Sequence, residues 1–235
     1  MPLYITFDNQ QEAYFPGQEV KGNLNLNVSS ENQVSSIVIC FCGIGVLQRD
    51  EVDNKETKQE LYFDQVSTVF SCKGEGDTKH HFEIGPKTFP FNFTLPQKIP
   101  TSFESSTGYV RYSITAYLEE SDGRLQTAVA VFTVNAILDL NRIPKSRLPC
   151  TDWAQQDVCL FCFKCGPVSA ILNIPRRGYV PGEYIPISAE INNLQNKPIS
   201  FVKATLVQVV KYHHKSGPKK IKRGVTEAAR ICDAL

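Results

Sequence analysis

The chain is 235 residues long, enough for one large domain or two of ordinary size, each with a core of its own. Its 25 lysines and arginines stand against 24 acidic residues, which excludes a general electrostatic grip on nucleic acid or an anionic membrane and leaves room only for local contacts of that kind. Hydrophobic residues make up 42% and charged residues 21%, the composition of a folded protein and not of a disordered one.

The amino terminus, Met1-Pro2-Leu3-Tyr4-Ile5-Thr6-Phe7-Asp8, has neither the basic start nor the apolar stretch of a secretory signal. No apolar run approaches the roughly 20 residues that cross a bilayer, so the reading is of a soluble, intracellular chain. Glu19 to Val28 sets Val20, Gly22, Leu24, Leu26 and Val28 on one side and Lys21, Asn23, Asn25 and Asn27 on the other, the pattern of a half-buried strand. Val34 to Leu47 places Ile37, Ile39 and Phe41 on one face and Val38, Cys40 and Cys42 on the other, which predicts a strand covered on both sides. Thr88 to Leu95, Tyr109 to Leu118 and Gln126 to Val134 are further strands. Asn141 to Asp157 carries Pro144, Pro149 and alternating charges without a strand pattern, and reads as a connection. Strands resume at Pro167 to Ile174, Glu183 to Ile191 and Ile199 to Tyr212; Thr226 to Leu235 reads as a short helix capped by Thr226. Many short strands separated by glycine and proline turns make the chain all-β, a sandwich or barrel.

A repeat gives the domain count. Tyr14-Phe15-Pro16-Gly17-Gln18-Glu19-Val20 returns as Tyr179-Val180-Pro181-Gly182-Glu183-Tyr184-Ile185, and each copy leads into an alternating strand, a polar turn and a longer apolar strand. Proline presets φ at the second position of a turn and glycine supplies the positive φ of a type II turn, while the aromatic two residues ahead packs over it. Two copies imply two related sandwiches: residues 1–143, a linker and cysteine-rich strand start over 144–164, and a second domain over 165–235 that is begun but not finished. Half a sandwich leaves an apolar sheet face and a strand edge bare.

Eight cysteines, with Cys40 and Cys42 in one strand and Cys159, Cys162 and Cys165 in a tight cluster, fit reduced thiols better than a disulfide framework. The cluster has the spacing of a metal knuckle, yet zinc wants four ligands and no second CxxC exists, so these are weak metal candidates beside the plainer reading of a cysteine-rich strand start. His80-His81 and His213-His214 lack the nucleophile and orienting acid that catalysis needs, and no nucleophile elbow, phosphate loop or HExxH is present, so no enzyme and no cofactor is expected. Lys211, Lys215, Lys219, Lys220, Lys222 and Arg223 gather around Ser216-Gly217-Pro218; such a hairpin tip is a solvated, aggregation-blocking edge or a contact for phosphorylated tails and anionic membrane. Asp233-Ala234-Leu235 resembles a short carboxyl-terminal ligand for a PDZ-type groove.

Several of these pieces resemble, in order, the α-arrestin family of arrestin domain-containing proteins. They are the Tyr14/Pro16-Gly17 turn; Pro90-Phe91-Asn92-Phe93-Thr94-Leu95-Pro96 followed by Ile99-Pro100-Thr101-Ser102-Phe103-Glu104; Gly108-Tyr109-Val110-Arg111-Tyr112; Leu138-Asp139-Leu140-Asn141; and Arg177-Gly178-Tyr179-Val180-Pro181-Gly182. The resemblance implies tandem immunoglobulin-like sandwiches, the second incomplete, in a non-enzymatic scaffold that binds the cytoplasmic tails of receptors and transporters. It further implies links to HECT-type ubiquitin ligases and endosomal sorting, from the cytoplasm with recruitment to the plasma membrane and endosomes; peripheral membrane association is compatible with this, and nucleic acid is no partner. The Pro-Pro-x-Tyr motif by which family members recruit ligases is absent from these residues, and the chain reads as a fragment, a short isoform or an incomplete gene model. The rival reading is a structural or redox module working through the cysteine cluster, by analogy with thioredoxin binding in some α-arrestins.

Overall fold

The computed structural model describes residues 2–28, 34–47, 58–71, 82–160, 163–194, 199, 201–214 and 217–231, without the side chains of 157–160, 163–165, 212–214 and 217–231. Two compact units are present, Met1–Ile137 and Leu138–Leu235, and strands account for nearly all of the regular structure.

The first unit is a sandwich. Its strands in chain order are β1 (Leu3–Phe7), β2 (Ala13–Tyr14), β3 (Glu19–Val28), β4 (Val34–Leu47), β5 (Lys58–Ser71), β6 (Gly85–Thr94), β7 (Phe103–Glu104), β8 (Gly108–Glu120) and β9 (Leu125–Val134). A three-stranded antiparallel sheet runs β1-β3-β6, and a six-stranded sheet runs β2-β9-β8-β4-β5 with β7 joined to β8. β3 alternates as its sequence requires: Val20, Gly22, Leu24, Leu26 and Val28 are buried and Lys21 and Asn27 are exposed. Ile37, Ile39 and Phe41 of β4 face Tyr112, Ile114, Ala116 and Leu118 of β8 along the same inner side, and together with β3 and Phe93 they form one core. Phe41 stacks on Phe93 with centroids 4.7 Å apart and meets Phe91 edge-on at 5.8 Å, so the aromatic residues of β6 key the small sheet to the large one.

β4 departs from the prediction. Val38, Cys40 and Cys42 are only half-buried, and within the first unit no described strand lies over the outer side of the six-stranded sheet; the uninterrupted apolar run reflects a partly open, apolar outer side and not a described second cover.

The second unit begins with two short 3₁₀ turns, Leu140–Arg142 and Pro144–Arg147, followed by a sheet of β10 (Cys150–Leu160), β11 (Phe163–Ile174) and β12 (Ser188–Asn193) and a hairpin of β13 (Phe201–His214) and β14 (Gly217–Ile231). Two sequence expectations are corrected here. The patternless stretch 141–157 is no open connection: β10 occupies its second half and pairs with β11 from Cys150 opposite Ile174 to Leu160 opposite Phe163. The helix expected over 226–235 is strand as far as Ile231, since Thr226 lies opposite Leu206 and Ile231 opposite Phe201; a long antiparallel partner outweighs local helix propensity worth tenths of a kcal/mol per residue. Residues 232–235 lie outside the described ones.

Every buried hydrophobic side chain described falls between Tyr14 and Val134, so the core is that of the first unit. In the second, Trp153 and Ile171 on one face of the sheet are 71% and 42% exposed, and Leu172 and Ile191 on the other are 43% and 37% exposed.

Candidate interaction face and fold signature

The duplicated turn has one geometry in both copies. Gln18 donates its backbone N–H to the Phe15 carbonyl at 3.0 Å while its Oε1 accepts the Phe15 N–H at 2.9 Å; Glu183 does the same with Val180 at 3.1 and 2.9 Å. Gly17 and Gly182 hold φ of +81° and +90°, the left-handed value that the third position of a type II turn demands. The preceding tyrosines repeat as well: the Tyr14 and Tyr179 hydroxyls are each buried with no hydrogen-bond partner among the described residues. Burial, then the carboxylates of Asp8 and Glu12, push the Tyr14 hydroxyl above its ordinary pKa. Arg176 lies over the Tyr179 ring at 4.5 Å and donates to Glu183 at 3.0 Å; the Val180 N–H, then Arg176, hold that carboxyl below the usual range.

The other signature residues are also packing devices. Pro90 pairs with Asn23 in the β3–β6 ladder, and Phe91 and Phe93 reach Phe41. Gly108 opens β8 so close to β4 that a Cβ there would lie 2.5 Å from the Val46 carbonyl oxygen. Tyr112 is buried, and its hydroxyl donates to the Pro100 carbonyl at 2.6 Å; burial, then Tyr62, raise its pKa strongly. Arg111 lies on the solvent side of β8, over the Tyr109 ring at 3.8 Å and paired with Glu104, which fastens β7 to the sheet.

Of the cysteine cluster, Cys159 and Cys165 sit in the ladder where β10 turns into β11, opposite Lys164 and Val158; their side chains and all of Cys162 lie outside the described ones. Among the described residues no group of three His, Cys, Asp or Glu could hold a metal ion. The basic residues do fall on a hairpin: Lys211 is opposite Lys220, Val209 opposite Lys222, Tyr212 opposite Lys219 and Gln208 opposite Arg223. Lys215 lies outside the described residues.

The two outer faces of the first unit differ in kind, a difference the sequence reading missed. On the three-stranded sheet the polar side chains satisfy one another: Asn25 donates to Thr6 at 3.0 Å, Thr88 to Asn25 at 3.2 Å, Asn92 to Glu19 at 3.0 Å, and Lys21 pairs with Glu19 at 2.8 Å. Across the six-stranded sheet, register instead lines up Val66, Cys40, Thr115 and Val129 in one row and Asp64, Cys42, Ser113 and Val131 in the next. Val66, Val129 and Val131 are 60%, 63% and 60% exposed, and these two rows contain a single charge, Asp64. Burial, then Asp64, push the Cys40 and Cys42 thiols up, so at neutral pH both are protonated and act as small apolar groups. The signal was present in the alternation of Val129 and Val131 and of Cys40 and Cys42; strand pattern alone does not say what covers a face.

No described helix is long and apolar enough to cross a membrane. The N-terminal domain of the family described as "Arrestin (or S-antigen)" matches residues 3–141, and its C-terminal domain matches residues 164–233. "Arrestin domain-containing protein 17" of Caenorhabditis elegans is 29% identical, over 97% of this chain and 56% of its own length. "Arrestin domain-containing protein 1" of Homo sapiens is 28% identical, over 90% of this chain and 47% of its own. Among solved structures, the sporulation control protein Spo0M of Bacillus subtilis aligns with a TM-score of 0.41 at 16% identity, over 80% of this chain and 79% of that one. The chain spans about half the length of these two relatives. With an arrestin N-terminal domain and the matched part of an arrestin C-terminal domain in sequence, the chain belongs to the arrestin family, in its α-arrestin, arrestin domain-containing branch.

Proposed function

We propose that this chain is the arrestin-fold body of a non-enzymatic adaptor that holds cytoplasmic segments of membrane proteins against the outer face of the six-stranded sheet. The observation that carries the reading is that face. Its two middle rows, Val66-Cys40-Thr115-Val129 and Asp64-Cys42-Ser113-Val131, are largely apolar with one charge, lie on a sheet anchored by the core, and contrast with the outer face of the three-stranded sheet, whose polar groups satisfy one another. A partner that covers the open parts of Val66, Val129 and Val131 gains about 3 kcal/mol, roughly two factors of ten in affinity. Coupling of such cargo to WW-domain ubiquitin ligases and endosomal sorting, from a cytoplasmic location with recruitment to the plasma membrane and endosomes, completes the proposal. These 235 residues contain no Pro-Pro-x-Tyr, so the cargo face is the part of that role open to test on this chain.

The test is binding of the chain to an immobilised panel of cytoplasmic tail peptides from receptors and transporters. Val129→Lys combined with Val131→Lys should weaken the positive tails by roughly a hundredfold with the melting temperature unchanged. Lys21→Glu, on the polar sheet, should leave them as they are. Equal binding by the double variant sinks the assignment of the face.

A further inference from the structure

The described sheets of the first unit have four edges, and three are blunted. β1 is five residues long, β2 is two, and β6 carries Pro86 and Pro90. β5 is fourteen residues long, has no proline, and pairs with β4 on one side and with no described strand on the other. Its ladder shifts register at two places, which leaves Tyr62 and Val69 as bulge residues, both turned onto the core. Between the bulges lies a regular run, Asp64-Gln65-Val66-Ser67-Thr68, in which every residue is exposed and which no described strand but β4 pairs with.

That run is complementary to itself when reversed. Centred on Val66, an antiparallel copy places Val66 against Val66, the Thr68 hydroxyl against the Asp64 carboxylate, and the Gln65 amide against the Ser67 hydroxyl, with no like charges opposed. A shift of two positions one way sets Asp64 against Val66 and forfeits the threonine donor. The same centring keeps both outer faces on one side, because residues two apart share a face. The row Val129-Thr115-Cys40-Val66 then continues without a break into the Val66-Cys40-Thr115-Val129 row of a second molecule. We infer that β5 is a self-association edge: two copies pair their Asp64–Thr68 runs about a two-fold axis through Val66 and fuse their sheets into one. The contact is isologous, so it closes at two molecules. A five-residue seam is smaller than a standard interface, and the dimer is weak and concentration-dependent. Self-pairing uses the main-chain edge of β5 and cargo binding the face of the sheet, so although both touch Val66 the self-pairing stands or falls without the cargo reading.

Sedimentation of the full chain over a concentration series tests this. Wild type should pass from monomer to dimer. Val66→Lys, an exposed position, should raise the dissociation constant roughly tenfold or more by opposing two cations at the axis. Asp64→Lys should weaken the dimer too, and Asp64→Lys combined with Thr68→Asp should restore it, since each new lysine then faces a new aspartate across the axis. A wild-type chain that stays monomeric throughout overturns the inference, as does a dimer that Val66→Lys leaves intact, which would place the contact on another surface. Failure of the charge-swapped pair to recover overturns the register.

Discussion

Arg111 grips Glu104 through two parallel hydrogen bonds, Nε to Oε1 at 2.6 Å and Nη2 to Oε2 at 2.9 Å, and in doing so ties the two residues of β7 to β8. The fork geometry is one that lysine cannot copy. Hydrogen bonding from Arg111 holds the Glu104 carboxyl below the usual carboxylate range. A lowered folded-state pKa means stability that is full above the ordinary glutamate value and fades as pH falls through the lowered one. Arg111→Ala should therefore melt below wild type at neutral pH, and the gap should close in acid; a gap that persists in strong acid would show that Arg111 acts by packing instead. Arg111→Lys should behave like the alanine variant.

Tyr112→Phe removes the donor to the part-buried Pro100 carbonyl while keeping the ring and its neighbours. Loss of this hydrogen bond should cost about 1–2 kcal/mol in urea unfolding. Burial raises the Tyr112 pKa, so folding favours the neutral phenol and stability drains away as pH climbs past the ordinary tyrosine value. The phenylalanine variant should lose less stability in alkali than wild type does, so the two unfolding curves draw together above pH ~10.

Gly17→Ala and Gly182→Ala are matched experiments on one turn. Each forces a Cβ into a left-handed φ, at a cost of about 1–2 kcal/mol. At Gly17 the Cβ would also meet the Gln97 side-chain amide, a flexible end that can swing aside, whereas at Gly182 no described atom comes within 4 Å of it. Backbone strain should thus dominate at both, with similar losses of hydrogen-exchange protection around the two turns; a large loss at one and none at the other would contradict their equivalence.

Cys40 and Cys42 should alkylate slowly at neutral pH and accelerate only as pH rises past the ordinary thiol value, because burial and Asp64 keep the protons on. Mass-spectrometric mapping of iodoacetamide adducts across a pH series checks this. Rapid labelling of either thiol near neutrality would point instead to a reactive site on the face.

Local pattern was enough for the elements whose one-sided burial is unbroken. β3 reads directly from Val20, Leu24, Leu26 and Val28, and β8 from Tyr112, Ile114, Ala116 and Leu118. β5 does not, because the bulges at Tyr62 and Val69 break its alternation in two places. β10 is hidden for another reason: Thr151, Asp152, Gln155 and Gln156 put polar residues at alternate and adjacent positions alike, and only its pairing with β11 makes it a strand. In β14 the same rule overrode a helix-like tail.

The sequence by itself determined the all-β class, the repeated Pro-Gly turn and the family, since each rests on residues within a few positions of one another: a φ that glycine alone takes easily, a side chain two places on, a short ordered motif. Tertiary structure decided which faces meet solvent and which edges stay unpaired. Those properties belong to pairs of segments far apart in the chain, Cys40 beside Val66 and Thr115, Val129 beyond them, and no spacing along one strand encodes what lies across from it.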